Sequence, residues 1–251
     1  MKVSTYKNNL LVLVSILAII IIWQVASIVV GKEIILPGPG LTGKSLIHIM
    51  ARKSFWEHLS ATLIRGITGF SLSYLVGLVF GVLSGLNRKF GAFFQPWLIL
   101  LRSTPSMALI LLALIWFKSD SVALFVTFLV VFPIITQNVS EGIQQIDPLL
   151  KEMALIYHVS PSRILRKMYL PAILPYLAAG GAAGLGLTWK VMTAAEVIAN
   201  PRLGIGTQMD AARIFLQPPE VFAWTAVVVS IGLFFDRALE FFIRKKLLYW
   251  E

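Results

Sequence analysis

The sequence contains no cysteine, so it offers neither a disulfide framework nor a thiolate metal site. Its three histidines, His48, His58 and His158, are scattered without ligand spacing, which leaves no metal site in the pattern. Charge is scarce: Asp, Glu, Lys and Arg make up 14% of 251 residues, too little for the surface of an ordinary soluble domain. No nucleophile stands beside a base, so nothing in the residue pattern argues for catalysis. The net charge of +10 is not gathered into one polar block with interleaved aromatics, as a nucleic-acid surface requires. The basic residues sit in short clusters beside apolar runs, which is how membrane proteins use them. What is abundant is apolar side chain, 57% of the chain. This composition describes an integral membrane protein, with the lipid bilayer as a partner and nucleic acid excluded.

The apolar runs are of crossing length. The first, Leu10 to Val30, is longer than a signal core and lacks a clean small-x-small cleavage site, so it is expected to be a retained span. A polar connection from Gly31 to His58 contains ILPGPG and then an amphipathic stretch. The second run, Ile67 to Leu86, places Gly77, Gly81 and Gly85 one turn apart on one face, a register that lets helix backbones approach closely in lipid. A third span is expected from Trp97 to Phe117, with Arg102 near its start and Pro105 a turn later, and a fourth from Val122 to Val139. The fifth, Ala172 to Ile198, repeats the small-residue spacing with Gly180 and Gly184. A loop is expected over Asn200 to Glu220, and a sixth span from Val221 passes into a basic tail, Asp236 to Glu251. The Lys and Arg distribution favours both termini inside, with Arg88, Lys89, Lys151, Arg163, Arg166 and Lys167 on the same cytoplasmic side.

Gly38 to Ser45, GPGLTGKS, satisfies the phosphate-loop spacing. That loop works between a buried strand and a helix, and neither a good strand nor an aqueous β/α domain flanks it here, so it is read as coincidence. Any ATPase must then come from another chain. Polar residues within spans are costly and therefore of interest. Arg102, Lys190 and Glu196, and Trp189 beside Lys190, line a translocation pathway in one reading. In the other, Arg102 and Lys190 reach the headgroups and Trp189 belongs to the interfacial aromatic belt.

The longest polar interruption between two apolar runs is Asp147 to Pro175. Asp147 is placed to cap a helix with Pro148 in its first turn. Leu149, Leu150, Met153, Ile156 and Tyr157 then fall on one side of that helix. Ser160 and Pro161 signal a second start, decorated by Arg163, Arg166 and Lys167 and closed by Leu170–Pro171. A short amphipathic helix held at a membrane face is a docking element.

Glu152-Met153-Ala154, with His158 and then Leu170-Pro171, resembles the EAA loop of binding-protein-dependent ABC importer permeases. Arg102 to Pro105, Ile115 to Phe117, Trp189-Lys190 with Ala195-Glu196, Leu203 to Gly206 and the ILPGPG stretch are similar to the nitrate/sulfonate/taurine branch, and the similarity runs from about residue 34 to 245. Met153 stands where the family has its first alanine, and His158 where it has a glycine that ends the first loop helix. A left-handed backbone there is less costly for His than for most residues, but still unfavourable.

The resemblance implies an all-α, polytopic bundle of about six spans, the type I importer permease fold, as one domain over residues 1–251 in a bacterial cell membrane. It implies a second copy or a paralogous permease, a cytoplasmic ATP-binding subunit dimer and an extracytoplasmic solute-binding protein. ATP and Mg would reside in the ATPase, leaving this chain without a cofactor and without enzymatic activity. The coupling loop would be 147–171, with Leu149, Met153, Ile156 and Tyr157 as buried contacts and Glu152 at their rim. The cargo would be a small sulfonate, nitrate or taurine-like anion, or a small heterocyclic vitamin precursor. Two other classes remain: an ion-coupled secondary transporter, against which stands the lack of an internal two-fold repeat, and a non-transporting membrane scaffold.

Overall fold

The computed structural model describes residues 2–247, with side-chain surroundings for 11–241. Met1 and the last four residues of the expected basic tail lie outside the described residues, and so do the surroundings of the terminal Lys and Arg side chains. Every regular element among the described residues is helical: α1 (Lys2–Val30), α2 (Pro39–Met50), α3 (Lys53–Leu86), α4 (Arg88–Ser103), α5 (Ser106–Trp116), α6 (Ser119–Gln144), α7 (Pro148–Ile156), α8 (Pro161–Ile164), a π turn at Leu165–Tyr169, α9 (Leu170–Ala199), α10 (Ile205–Ile214) and α11 (Pro218–Leu247). Five of the resulting helical runs are long and apolar enough to cross a membrane, and α4 with α5 makes a sixth crossing if the bent pair is taken together.

The bundle is built around α6, which lies between α3 and α9. The glycines of α3 set the first contact. A Cβ at Gly77, Gly81 or Gly85 would stand 2.8, 2.6 or 2.7 Å from the Cβ of Ile135, Val139 or Ile143, respectively. On the other flank Gly180 lies against Asn138, Gly184 against Val131, and Gly142 of α6 against Tyr176. Removing side chains at the seam brings backbones together, which is how helices associate where lipid already satisfies apolar surface. A second apolar core joins α5, α6 and α9 through residues such as Ile110, Val126 and Met192. A third joins α2, α3, α9, α10 and α11 through Ile49, Phe55, Trp189, Ile205 and Trp224. By contrast α1 stands off the body, with Leu11 to Ile22 all exposed. It is tethered at its far end, where Trp23 donates to the Pro37 carbonyl (2.9 Å), Ser27 donates to that of Leu36 (2.9 Å), and Trp23 stacks on Phe222.

Four expectations need correction. The continuous third span from Trp97 to Phe117 is two helices that meet at 99°. Pro105 cannot donate and pushes the residue before it out of the helical region, and Thr104 is accordingly extended at ψ 125. The second span begins at Lys53 rather than Ile67, because Phe55, His58 and Thr62 in its first turns are buried against protein. At 34 residues it is about 51 Å long, against about 30 Å of hydrocarbon. The expected loop Asn200 to Glu220 contains α10. Finally, Leu170–Pro171 does not close the second loop helix. The chain passes through the π turn, which accommodates the proline ring, and runs on as one 39-residue helix from Pro161 to Ala199.

Candidate coupling surface and buried carboxylate latch

The segment between α6 and α9 is held out from the bundle by its own local chemistry. The Asp147 carboxylate accepts from the Leu149 N–H (2.8 Å) and Pro148 occupies the first turn, so α7 starts as its sequence dictates. It ends in a Schellman arrangement: the Val159 N–H donates to the Ala154 carbonyl (3.0 Å) and the His158 N–H to that of Leu155 (3.1 Å). The residue that must be left-handed for this is His158, at φ 47. Ser160 occupies the next N-cap position, but its hydroxyl makes no cap bond; its carbonyl instead accepts from Arg163 and Ile164. The second start falls where Ser160 and Pro161 signal it, with Pro161 fixing the first helical φ.

No residue of α7 is buried. Leu149, Met153, Ile156 and Tyr157 are all more than half exposed, Tyr157 by 75%, and Leu155 is exposed as well, so apolar surface extends beyond one stripe. Glu152 is exposed, Ala154 half-buried, Leu170 exposed and Pro171 half-buried. Between α7 and the base of the long helix lies an apolar groove of about 360 Å³, lined among others by Leu150, Met153, Ala154 and Tyr157, with Arg163 and Lys167 at its edge.

At the other end of the long helix, Glu196 is fully buried. Thr62 Oγ1 donates to its carboxylate, 2.8 Å from Oε2 and 2.9 Å from Oε1, and Arg65 Nη1 donates to Oε1 at 2.7 Å. The Gly206 N–H donates to Oε2 at 3.0 Å, and the Ile205 N–H donates to Thr62 Oγ1 at 2.8 Å. Two glycines make the approach feasible: a Cβ at Gly204 would lie 2.7 Å from Glu196 Cδ, and one at Gly206 2.5 Å from Glu196 Cβ. His58 Nδ1 lies 3.0 Å from both the N–H and the carbonyl oxygen of Gly204, and its Nε2 lies 3.1 Å from Gln208 Nε2. Arg65 Nη2 also reaches Asp120 Oδ1 (3.2 Å) at the start of α6. One carboxylate thus ties α9 to α3 and α10, and through Arg65 to α6. Such a buried charge is tolerable only because it is paired and its remaining acceptor sites are filled.

The four expected pathway residues are separated by this geometry. Glu196 and Trp189 face packed protein. Trp189 is buried, its ring 4.8 Å from Phe235 and pressed on Gly66, where a Cβ would come within 2.5 Å. Lys190 projects from the opposite, exposed side of α9, in line with Ala179, Ala183, Gly186 and Ala194. Arg102 is exposed one turn before the Thr104–Pro105 break, where the first N–H groups of α5 lack helical acceptors. Sequence reasoning missed Thr62, Arg65, His58 and Asp120. A signal was present for two of them: Thr62 and Arg65 share a face with Gly66, Gly69 and Ser73, a small and polar stripe on an otherwise apolar helix.

The structure is thus a helical membrane body that carries an exposed, capped helical segment between two of its crossings. The model of the family described as binding-protein-dependent transport system inner membrane component matches residues 77–247, and the chain belongs to that family. It is 32% identical over 242 residues to the bicarbonate transport system permease protein of Synechococcus elongatus, covering 91% of this chain and 86% of that one. Identity is 29% over 236 residues to the putative aliphatic sulfonates transport permease protein of Bacillus subtilis (93% and 84% covered). It is 27% over 235 residues to the taurine transport system permease protein of Escherichia coli (91% and 85%). Among solved structures the fold resembles a chain of the MetNI methionine ABC transporter in an inward-facing conformation, with a TM-score of 0.62, 20% identity, and 76% of this chain and 93% of that one covered. The chain is therefore a membrane transport permease with the ABC importer permease fold.

Proposed function

We propose that this chain forms half of the membrane pathway of an ATP-driven importer and receives its driving force through residues 147–171. The observation that carries the reading is α7: an apolar helix fixed by its own caps, with no buried residue, at the foot of a 39-residue helix that spans the bundle. Apolar surface of this kind, rigid and unpaired, is suited to a groove on a partner. Leu149, Met153, Ile156 and Tyr157 enter a cytoplasmic ATPase subunit, Glu152 sits at the contact's rim, and ATP and Mg remain with that subunit. The termini are cytoplasmic, in keeping with the Lys and Arg distribution. The exposed face of α9, with small residues and Lys190, meets a second copy or a paralogous permease across the pathway, and Arg102 adds a second cation at the broken span. Two cations on open faces, together with bicarbonate, sulfonate and taurine in the relatives' names, favour a small anionic or zwitterionic solute delivered by an extracytoplasmic binding protein.

The test is charge substitution at the docking helix. Met153→Asp or Ile156→Asp is expected to abolish co-purification of the ATPase subunit while membrane insertion stays intact. ATPase retained at the wild-type level by both variants refutes the reading.

A further inference from the structure

A cavity of about 590 Å³ lies apart from both regions described above, where the end of α3 and the first turns of α4 face the last turns of α6; no residue of α9 lines it. Its place follows from the sequence of α4. Arg88, Gly91, Ala92, Gln95 and Leu98 recur at three- and four-residue spacing and line the cavity, whereas Phe93, Trp97 and Leu100 form the opposite stripe and are exposed. The helix is thus a partition, with large apolar side chains on the side a bilayer covers and a cation and an amide toward α6. Gly91 and Ala92, with almost no side chain, leave the space between Arg88 and Gln95 open. The walls are fixed. Phe94 packs on Phe80 of α3, ring centroids 4.9 Å apart, and edge-on to Phe132 of α6 at 6.2 Å. A Cβ at Gly91 would come within 2.8 Å of the Ser84 carbonyl oxygen, and one at Gly85 within 2.7 Å of Ile143 Cβ, so α3 touches both neighbours closely.

Across the cavity α6 offers a matching polar stripe. Gln137 Nε2 donates to Glu141 Oε1 at 2.7 Å, and Gln144 Nε2 donates to Ser140 Oγ at 3.0 Å. These bonds hold the four side chains in one array. Among the described residues the side chains of Arg88 and Gln95 have no hydrogen-bond or ion-pair partner, and Glu141 Oε2 has no donor. One cation and one carboxylate therefore line the same space without pairing, in a cavity whose volume is typical of small-molecule sites.

We propose that this cavity is a second solute site, for a small zwitterion that carries an oxyanion at one end and an ammonium group at the other. Arg88 takes the oxyanion through its planar fork, Glu141 accepts from the ammonium, and the amides of Gln95 and Gln144 flank the ligand. A solute with a single charge would bring a like charge toward Glu141 or Arg88. The proposal rests on the functional reading above and deepens it: the cargo is zwitterionic, and it meets the chain at the α7 end of the bundle, where Gln144 is three residues before Asp147. A phosphoethanolamine lipid carries the same two charges, but its chains belong on the Phe93 and Trp97 side, across α4 from Arg88.

The experiment measures equilibrium binding of labelled taurine and β-alanine to the full-length chain with its co-expressed ATPase subunit in nanodiscs. The nanodiscs are of phosphatidylglycerol alone, or of phosphatidylglycerol and phosphatidylethanolamine in equal parts. Ethanesulfonate and propionate, which lack the ammonium group, compete against taurine and β-alanine respectively. At least one zwitterion is expected to bind saturably in both lipids, about 10–100-fold more tightly than its analogue. Glu141→Gln is expected to weaken the zwitterion by about 10–100-fold and leave the analogue within about twofold, whereas Arg88→Gln weakens both. Both side chains are exposed, so neither variant disturbs the packed seams. No saturable binding of either zwitterion overturns the proposal, as does wild-type affinity in either variant or an analogue that competes as well as its parent. Binding abolished by phosphatidylethanolamine overturns it in favour of a lipid headgroup. Failure of the functional reading looks different: the chain then retains no ATPase subunit, while zwitterion binding and its dependence on Arg88 and Glu141 remain.

Discussion

Replacing Gly81 by alanine adds one methyl group at the seam between α3 and α6. That group would lie 2.6 Å from Val139 Cβ and 2.8 Å from the Thr136 carbonyl oxygen. Carbon atoms in contact rest at about 3.5–4.0 Å, so the two helices must part by about 1 Å. Neither neighbour can turn aside, because a Cβ and a carbonyl move only with their backbone. Overpacking of this kind costs about 1–3 kcal/mol, while alanine in place of a helical glycine returns about 1 kcal/mol. Gly43 in α2 supplies the control, since a Cβ there meets nothing within 4 Å and Gly43→Ala changes the helix propensity alone. The propensity gain is shared by the two variants, so their difference isolates the clash at about 1–3 kcal/mol. With about 2–4 °C per kcal/mol for a chain of this size, Gly81→Ala should melt about 2–12 °C below Gly43→Ala. The assay is thermal melting of the detergent-solubilised chain followed by size-exclusion chromatography. Equal melting temperatures for the two variants would refute the claim that backbone proximity at Gly81 holds α3 to α6.

At the coupling segment, His158 adopts the left-handed conformation at a cost of about 1–2 kcal/mol for a residue with a side chain. His158→Gly should therefore raise the thermal stability of the permease–ATPase complex by a few degrees, and the β-branched His158→Val should lower it; the opposite order would place the strain elsewhere. Trp189 is held by its ring alone, because its buried indole N–H has no partner among the described residues. Trp189→Phe should stay within about 1.5 kcal/mol of wild type in a denaturant melt, whereas Trp189→Ala should lose about 3–5 kcal/mol; a Phe variant as damaged as Ala would mean that the N–H matters.

The parts of the fold that were legible are those written in local chemistry. Asp147 with Pro148, Pro161, and the glycines of α3 and α9 each act on their own or the next turn, and they marked the exposed α7 segment and two packing seams. Hydropathy misplaced the start of α3 because His58, Thr62 and Arg65 satisfy their polar groups inside the protein, where a bilayer scale counts them as exposed. It ran straight across Thr104–Pro105 because a bend of 99° leaves composition unchanged. Leu170–Pro171 was read as a stop because a proline interrupts a regular helix, whereas the preceding π turn lets this one continue. The latch was invisible for a different reason. Glu196 and Arg65 are separated by 131 residues, and only the packing of three helices brings them to 2.7 Å.

The central place of α6 also constrains how the chain is made. Its neighbour α3 is synthesised before it, but the helix that covers its other flank is not finished until Ala199, 55 residues after Gln144. At about 5–20 residues per second, a translating ribosome leaves that flank bare for about 3–11 seconds. In the first part of that interval Asn138 and Gly142 lack Gly180 and Tyr176, the α9 residues they pack against. Truncated nascent chains released before and after that point should differ in their susceptibility to membrane proteases.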